Sequence, residues 1–187
     1  MLGFFGGQAA VDGVENGELR LLYVGRISRE KDLDLLADAY RRLRKEGLPV
    51  RLFVVGHGPY SEALAKSLPD AFFTGYLRGT ELATAYASAD IFVFPSTTDT
   101  FGNVILEAQA SGLPVVVSDS GGPKELVTHK ANGLITRSHN VEDFTGAIRA
   151  LVTDQTQRER MANSARDSVT DRSWPRAFAK FWAATEV

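Results

Sequence analysis

The chain has 187 residues, of which 44% are hydrophobic and 24% charged, a balance typical of one folded domain rather than of a disordered or fibrous protein. Its 21 basic and 23 acidic side chains give a formal charge of −2, so no overall field would gather nucleic acid or anionic lipid. The sequence contains no cysteine, which excludes disulfides, thiol nucleophiles and thiolate metal sites and favours a cytoplasmic location.

Residues 1–18 contain several glycines and no sustained hydrophobic period, which indicates a loose leader or linker. From residue 19 to residue 187, short apolar runs alternate with amphipathic stretches. The apolar runs predict strands at 21–24, 51–55, 71–74, 91–94, 114–117 and 133–136. The amphipathic stretches predict helices at 32–46, 61–68, 80–87, 103–111, 123–128, 141–152, 155–168 and 174–185.

This alternation predicts an α/β fold with a doubly wound parallel sheet of about six strands. Strands that are apolar on both faces need helices on both sides, and right-handed crossovers supply them. Ligands of such sheets bind beyond the carboxyl ends of the strands. The loops that lead from strands into helices are therefore the places to look for function.

The first of these loops, residues 25–31, carries two cations at the start of a helix. A cation there opposes the helix dipole, at a cost of about 0.3–1 kcal/mol, whereas an anion is favoured. Arg26 and Lys31 therefore suit a bound diphosphate, for which Arg offers a planar fork and Lys a point charge. The alternative is that both are solvated, with Ser28 capping the helix and Glu30 supplying a favourable charge.

The second loop has the sequence Gly56-His57-Gly58-Pro59. Glycine at these positions permits a positive φ and a close approach of the backbone, which suits either a ligand or a tight turn. A short G-x-G without a third glycine favours the turn. His57 could contact a ligand or lie in solvent.

The third loop runs from residue 94 to residue 102 and opens a helix whose first amides have no partner within the helix. These amides, at Gly102, Asn103 and Val104, are ready donors for an anion. Along this nearly apolar helix, Asn103, Glu107 and Ser111 form one polar seam, which predicts a carboxylate on a buried helix that needs hydrogen-bond donors. Two vicinal ribose hydroxyls would supply them; the alternative is an arginine partner or water.

The fourth loop, residues 118–125, is glycine-rich and follows the fifth predicted strand. It predicts either another wall of the same cleft or a plain connection that caps a helix starting at Pro123.

Taken together, these stretches resemble the C-terminal, nucleotide-sugar-binding domain of the family 4 (group 1) glycosyltransferases. Members of that family have two Rossmann-like domains in the arrangement called GT-B. The resemblance covers Arg20 to Trp182 and rests on the stretches at 23–31, 55–59, 94–108 and 111–116.

The resemblance implies roles for individual residues. Arg26 and Lys31 would bind the diphosphate and stabilise the leaving group, Glu107 would hold the ribose and Asp99 the donor sugar. Asp99 stands where the family usually has glutamate, and it could instead cap the helix that begins near Gly102. The other donor contacts implied, including main chain around the base, fall at Gly25, Gly56, Gly58, Tyr76, Leu77, Phe101, Gly102, Asn103 and Val104.

The resemblance further implies the donor-binding part of a retaining, hexosyl-type glycosyltransferase that uses a UDP- or GDP-linked sugar, with no cofactor and no metal. The acceptor-binding N-terminal domain would be missing, so the isolated chain is expected to be inactive, and any membrane association would occur through the missing part. The family's last helix packs across that domain, which suggests a partly exposed apolar face around Trp174 and Trp182.

Three alternatives belong to other classes. The chain could be a nucleotide- or partner-binding module without activity of its own. An NAD-dependent oxidoreductase would need a complete G-x-G-x-x-G after the first strand, where only Gly25 stands. A sugar-nucleotide epimerase of the same architecture explains the spacing of Asp99 and Glu107 less well.

Overall fold

The computed structural model describes residues 17–170, so the helix predicted at 174–185 lies outside the described residues. The strands of this part are β1 (Leu19–Val24), β2 (Val50–Val55), β3 (Phe72–Gly75), β4 (Ile91–Phe94), β5 (Val115–Ser118) and β6 (Gly133–Thr136). Its α-helices are α1 (Leu33–Lys45), α2 (Ser61–Ser67), α3 (Gly79–Ala87), α4 (Asn103–Ala110), α5 (Val141–Thr153) and α6 (Gln155–Thr170).

All six strands form one parallel sheet in the order β3-β2-β1-β4-β5-β6. Leu21 of β1 lies opposite Leu52 of β2 on one side and Ile91 of β4 on the other. The chain thus winds outward in two directions from the boundary between β1 and β4, and right-handed crossovers then place helices on both faces. The prediction of a doubly wound parallel sheet is confirmed.

The core lies along the inner strands of this sheet. Residues 21–23 of β1 and 115–117 of β5 are fully buried, which explains why their sequences are apolar without alternation. On α1, the buried side chains of Leu36, Tyr40 and Leu43 recur at helical spacing. The helices also pack in pairs, α1 against α5 and α4 against α6.

For the elements predicted within residues 17–170, the ends agree with the structure to within two residues, with one exception. The helix predicted at 123–128 is a single 3₁₀ turn, Pro123–Leu126, after which Val127 is extended. Proline at the first position starts a turn readily, but four residues are too few to close an α-helix with its own hydrogen bonds. A second 3₁₀ turn, Arg29–Lys31, precedes α1.

The amino ends of the strands carry an ion-pair cluster. The carboxylate of Glu18 accepts hydrogen bonds from Arg44 of α1 at 2.7 Å and from Arg51 of β2 at 3.0 Å. Glu18, which the sequence prediction assigned to the leader, is therefore tied to the sheet. Between residues 17 and 170, none of the helices combines the length and the apolar character needed to cross a membrane.

Candidate functional site

A cleft of about 250 Å³ lies beyond the carboxyl ends of β1 and β4, where the strand order changes direction. This is the place where doubly wound sheets bind ligands. The first and third loops bring their predicted residues together here. The cleft is lined by Tyr23, Val24, Gly25, Arg26, Lys31, Phe94, Asp99, Thr100, Phe101, Gly102, Asn103 and Val104.

Five predicted site residues, Gly56, Gly58, Tyr76, Leu77 and Glu107, do not line this cleft. Gly56 borders a larger groove of about 680 Å³ that runs along α2 and β3 at the edge of the sheet. The exposed ring of Tyr76 lies beyond the end of β3, with its centroid 6.0 Å from that of His57.

The two cations of the first loop have different surroundings. The side chain of Arg26 is 65% exposed, and its nearest acidic partner, Glu30, is 3.9 Å away. Lys31 is 16% exposed, and its ammonium donates to Oδ1 of Asp99 at 2.9 Å. Ser28 occupies the N-cap position of the 3₁₀ turn, but its side chain makes no capping bond. Lys31 is therefore held at the cleft by charge, whereas Arg26 can swing towards a ligand.

Asp99 has one oxygen engaged and one enclosed. Oδ1 accepts from Lys31, while Oδ2 is buried and has no hydrogen-bond partner among the described residues. The alternative role as a helix cap is not observed, because the N-cap of α4 is Gly102 and no side chain bonds there. For Asp99 to accept a hydrogen bond from a hydroxyl of the donor sugar, this carboxylate would have to turn.

The first and second loops are joined through their backbones. The amide of Ile27 donates to the carbonyl of His57 at 3.2 Å. Gly56 has a φ of +132°, and a Cβ at this position would lie 1.9 Å from the carbonyl oxygen of Gly25. A Cβ at Gly58 would lie 2.2 Å from the carbonyl oxygen of Ile27. These contacts require glycine whether or not a ligand is bound, as the tight-turn alternative supposed.

The third and fourth loops are joined in the same way. The amide of Gly122 donates to the carbonyl of Asp99 at 2.8 Å, and a Cβ at Gly122 would lie 1.9 Å from the carbonyl oxygen of Thr100. The fourth loop thus supports the third from behind and contributes no lining residue. Besides Lys31 and Asp99, the hydroxyl of Thr98 connects the two pairs of loops by donating to the carbonyl of Glu30 at 3.2 Å.

Tyr23 forms the floor of the cleft. Its ring is buried and stacks on Phe94 at 5.7 Å, and its hydroxyl donates to the carbonyl of Arg26 at 3.0 Å. Burial, together with the negative charges of Asp99 and Glu30, holds the pKa of Tyr23 well above its usual value. Because the hydroxyl stays protonated, it fixes the turn that presents Arg26.

The polar seam of α4 faces solvent, so the prediction that it crosses a buried helix is wrong, and the alternative that Glu107 faces water is the one observed. Asn103 and Glu107 are exposed, because α4 packs through Ile105, Ala108 and Gln109 instead. Glu107 nevertheless has a donor, since the hydroxyl of Tyr86 lies 2.7 Å from its Oε2. Sequence reasoning missed Tyr86, although an aromatic residue on a helix of small and polar side chains was a usable signal.

Acidic and histidine side chains do not converge into a possible metal site anywhere in the described range 17–170. The positive groups at the cleft are Arg26, Lys31 and the amino end of α4, where the first turn contains no acidic residue. The arrangement is thus suited to bind an anion through side chains and a helix end.

Comparison with known proteins identifies the family. A family model described as glycosyl transferases group 1 matches residues 8–168. A GDP-mannose-dependent α-mannosyltransferase of Corynebacterium glutamicum is 38% identical over 152 residues, which make up 81% of this chain and 36% of that protein. A D-inositol 3-phosphate glycosyltransferase of Rhodococcus erythropolis is 34% identical over 87% of this chain and 40% of that protein. The chain thus spans well under half the length of these relatives.

Solved structures agree on the fold. HepE from Anabaena, in complex with UDP and glucose, superposes with a TM-score of 0.79 at 23% identity over 97% of this chain and 54% of that chain. The catalytic domain of cholesterol-α-glucosyltransferase from Helicobacter pylori superposes with a TM-score of 0.74 at 22% identity over 83% of this chain and 99% of that chain. The chain therefore belongs to the group 1 glycosyltransferases, and its sheet is the Rossmann-like α/β fold of GT-B enzymes.

Proposed function

We propose that this chain is the donor-binding part of a retaining glycosyltransferase that takes a hexose from a nucleoside diphosphate sugar. The observation that carries the proposal is the convergence of Arg26, Lys31 and the amino end of α4 on one cleft at the switch point of the sheet. The GDP-mannose dependence of the Corynebacterium relative supports a donor of this class.

In this proposal the diphosphate lies between the first loop and the amino end of α4. As the bond to the sugar breaks, negative charge grows on the departing β-phosphate, and the two cations stabilise it without transferring a proton. Before the donor binds, Asp99 holds Lys31 at the cleft, and Arg26 closes over the phosphate from solvent. The proposal requires neither a metal nor a cofactor.

The rest of the donor would contact residues on either side of the diphosphate. Glu107, one helical turn beyond Asn103, would receive ribose hydroxyls, and the main chain at Tyr76 and Leu77 would receive the base. Asp99 would contact the donor sugar after turning away from Lys31. Phe101 is exposed at the rim of the cleft, where it can pack against the sugar.

The acceptor site would be supplied by the part of the enzyme that this chain does not include. The relatives are more than twice as long as their matched regions, which leaves room for a second, N-terminal domain. We therefore expect this chain to bind a nucleoside diphosphate in the cytoplasm but to transfer no sugar by itself. Any membrane association would then depend on the other domain.

A thermal-shift panel tests the proposal. UDP, GDP and ADP, each with its glucose or mannose conjugate where one exists, are titrated into the purified chain. A ligand at 100 times its dissociation constant adds about 2.7 kcal/mol to the free energy of unfolding, which is readily detected. We expect at least one nucleoside diphosphate to stabilise the chain, and inorganic pyrophosphate to stabilise it less. Absence of any shift at millimolar nucleotide would contradict the proposal and favour a partner-binding module.

A further inference from the structure

Tyr86 is a buried side chain whose hydroxyl donates its hydrogen bond to the exposed carboxylate of Glu107. It lies in the last turn of α3, only 3% of its surface is exposed, and its ring centroid is 5.9 Å from that of Phe92 on β4. Its hydroxyl donates to Oε2 of Glu107 at 2.7 Å. A rigid group in the core thus reaches across to α4 and holds a side chain on its outer face.

This contact changes what Glu107 can do. An exposed glutamate ordinarily samples several rotamers, and a ligand that selects one of them must offset the lost conformational entropy. Here the carboxylate is already fixed before a ligand arrives. No other hydrogen bond to it is found within residues 17–170, so Oε1 remains available to a ligand.

The protonation state of Tyr86 supports a permanent donor. Burial, followed by the hydrogen bond and the charge of Glu107, raises the pKa of Tyr86 far above its usual value. The hydroxyl of Tyr86 therefore stays protonated and remains a donor to Oε2 of Glu107. Since Oε2 of Glu107 accepts from Tyr86, its other oxygen can accept from hydroxyl groups on a ligand.

We infer that Tyr86 is the positioning residue for Glu107, and that this pair makes the site prefer nucleotides whose ribose carries both its 2′- and 3′-hydroxyls. The inference rests on the proposed function, because it assumes that Glu107 faces the ribose. It adds a residue from the crossover helix α3, which does not itself line the cleft.

The experiment compares three ligands in the 187-residue chain by calorimetry: the tighter binder of UDP and GDP, its 2′-deoxy counterpart, and inorganic pyrophosphate. We expect Tyr86→Phe to weaken the ribonucleotide by about 3–10-fold, the scale of one neutral hydrogen bond. The deoxynucleotide should weaken less, and pyrophosphate should not change. The matched control is Tyr40→Phe, which removes the hydroxyl of a buried tyrosine 3.5 Å from the carbonyl of Asp70, at the amino end of β3.

A double variant separates positioning from packing. In Glu107→Gln, the hydroxyl of Tyr86 should donate to the amide oxygen, so that the NH₂ group faces the ligand. Adding Tyr86→Phe frees the amide to turn its oxygen to the ribose, so the double variant should bind the ribonucleotide more tightly than Glu107→Gln alone. A merely structural tyrosine predicts the reverse, because the two losses would accumulate.

Equal losses for the nucleotide and pyrophosphate, or no loss at all, would overturn the inference. If Tyr86→Phe alone does not fold, the double variant is compared with Glu107→Gln to test the inference. The double variant has no carboxylate at position 107, so removing the Tyr86 hydroxyl leaves no charge without its donor. If the unaltered chain binds no nucleotide, the proposed function fails and takes this inference with it. If the chain binds nucleotide but its preference for ribose is independent of Tyr86, this inference alone fails.

Discussion

Removing the two cations of the cleft should affect stability very differently, although both removals should weaken diphosphate binding. The changes are Arg26→Met and Lys31→Met, which keep an unbranched stem and delete the charge. Each deletes a charge-assisted contact, for which we expect a loss of about 1.5–3 kcal/mol, or roughly 10- to 150-fold in Kd. Arg26 is 65% exposed with only a distant acidic partner, so its removal should change the free energy of unfolding by less than about 0.5 kcal/mol.

Lys31→Met should be costly for the fold. It leaves the carboxylate of Asp99, which is 25% exposed and has one buried oxygen, without its cation. An unpaired polar group of this kind costs about 1–3 kcal/mol. In a chain of this size that loss corresponds to a fall in melting temperature of roughly 2–12 °C.

Urea unfolding followed by circular dichroism gives the stabilities, and calorimetry with pyrophosphate gives the affinities. Adding Asp99→Asn to Lys31→Met should restore part of the lost stability, because the unpaired charge is then removed. The reasoning is refuted if Arg26→Met destabilises as much as Lys31→Met. It is also refuted if Lys31→Met keeps the stability of the unaltered chain, or if pyrophosphate binds both variants normally.

Three further expectations concern other residues. Asp99→Asn should weaken a sugar nucleotide more than the bare nucleoside diphosphate, since only the former offers sugar hydroxyls; equal losses measured by calorimetry would assign Asp99 solely to Lys31. Gly56→Ala should lower the free energy of unfolding by at least about 1–3 kcal/mol. The control Gly47→Ala should lower it less, because nothing lies within 4 Å of the added Cβ. Equal losses of stability in urea unfolding would disprove the close contact at Gly56. Burial alone would raise the pKa of Glu18, but Arg51 and Arg44 hold it below its usual value. Its contribution to stability is therefore present above the pKa of the unfolded chain and lost as the pH falls through the folded value. The stability difference between the unaltered chain and Glu18→Gln should shrink on acidification, and a difference independent of pH would count against this ion pair.

The sheet could be predicted because its strands are easily recognised in the sequence. Stretches such as 91–94 and 115–117 are short, apolar throughout and bounded by turn residues, which is what a strand covered on both faces requires. Once the strands were assigned, the position of their carboxyl ends predicted where the cleft would lie. The residues of the first and third loops that line it, Arg26, Lys31 and Asn103 among them, follow directly from this topology.

The pairings inside the site could not be predicted in the same way. Lys31 and Asp99 are separated by 68 positions, and Tyr86 and Glu107 by 21, so each contact depends on how two elements pack rather than on local spacing. The orientation of α4 could not be predicted from the sequence either. A short helix with apolar residues on almost every side does not reveal which side meets the sheet, and the exposed side of α4 is the one that carries Glu107.

The backbone contacts between the first and second loops limit how this site can evolve or be engineered. Because the turns after β1 and β2 share backbone hydrogen bonds and leave no space for a Cβ at Gly56, neither can be lengthened or reshaped without the other. Insertions at either turn are expected to be lost from any library selected for folding. A change of donor must instead arise at side chains that project from this fixed frame, such as Arg26, or at the exposed position 76 beyond the edge of the sheet.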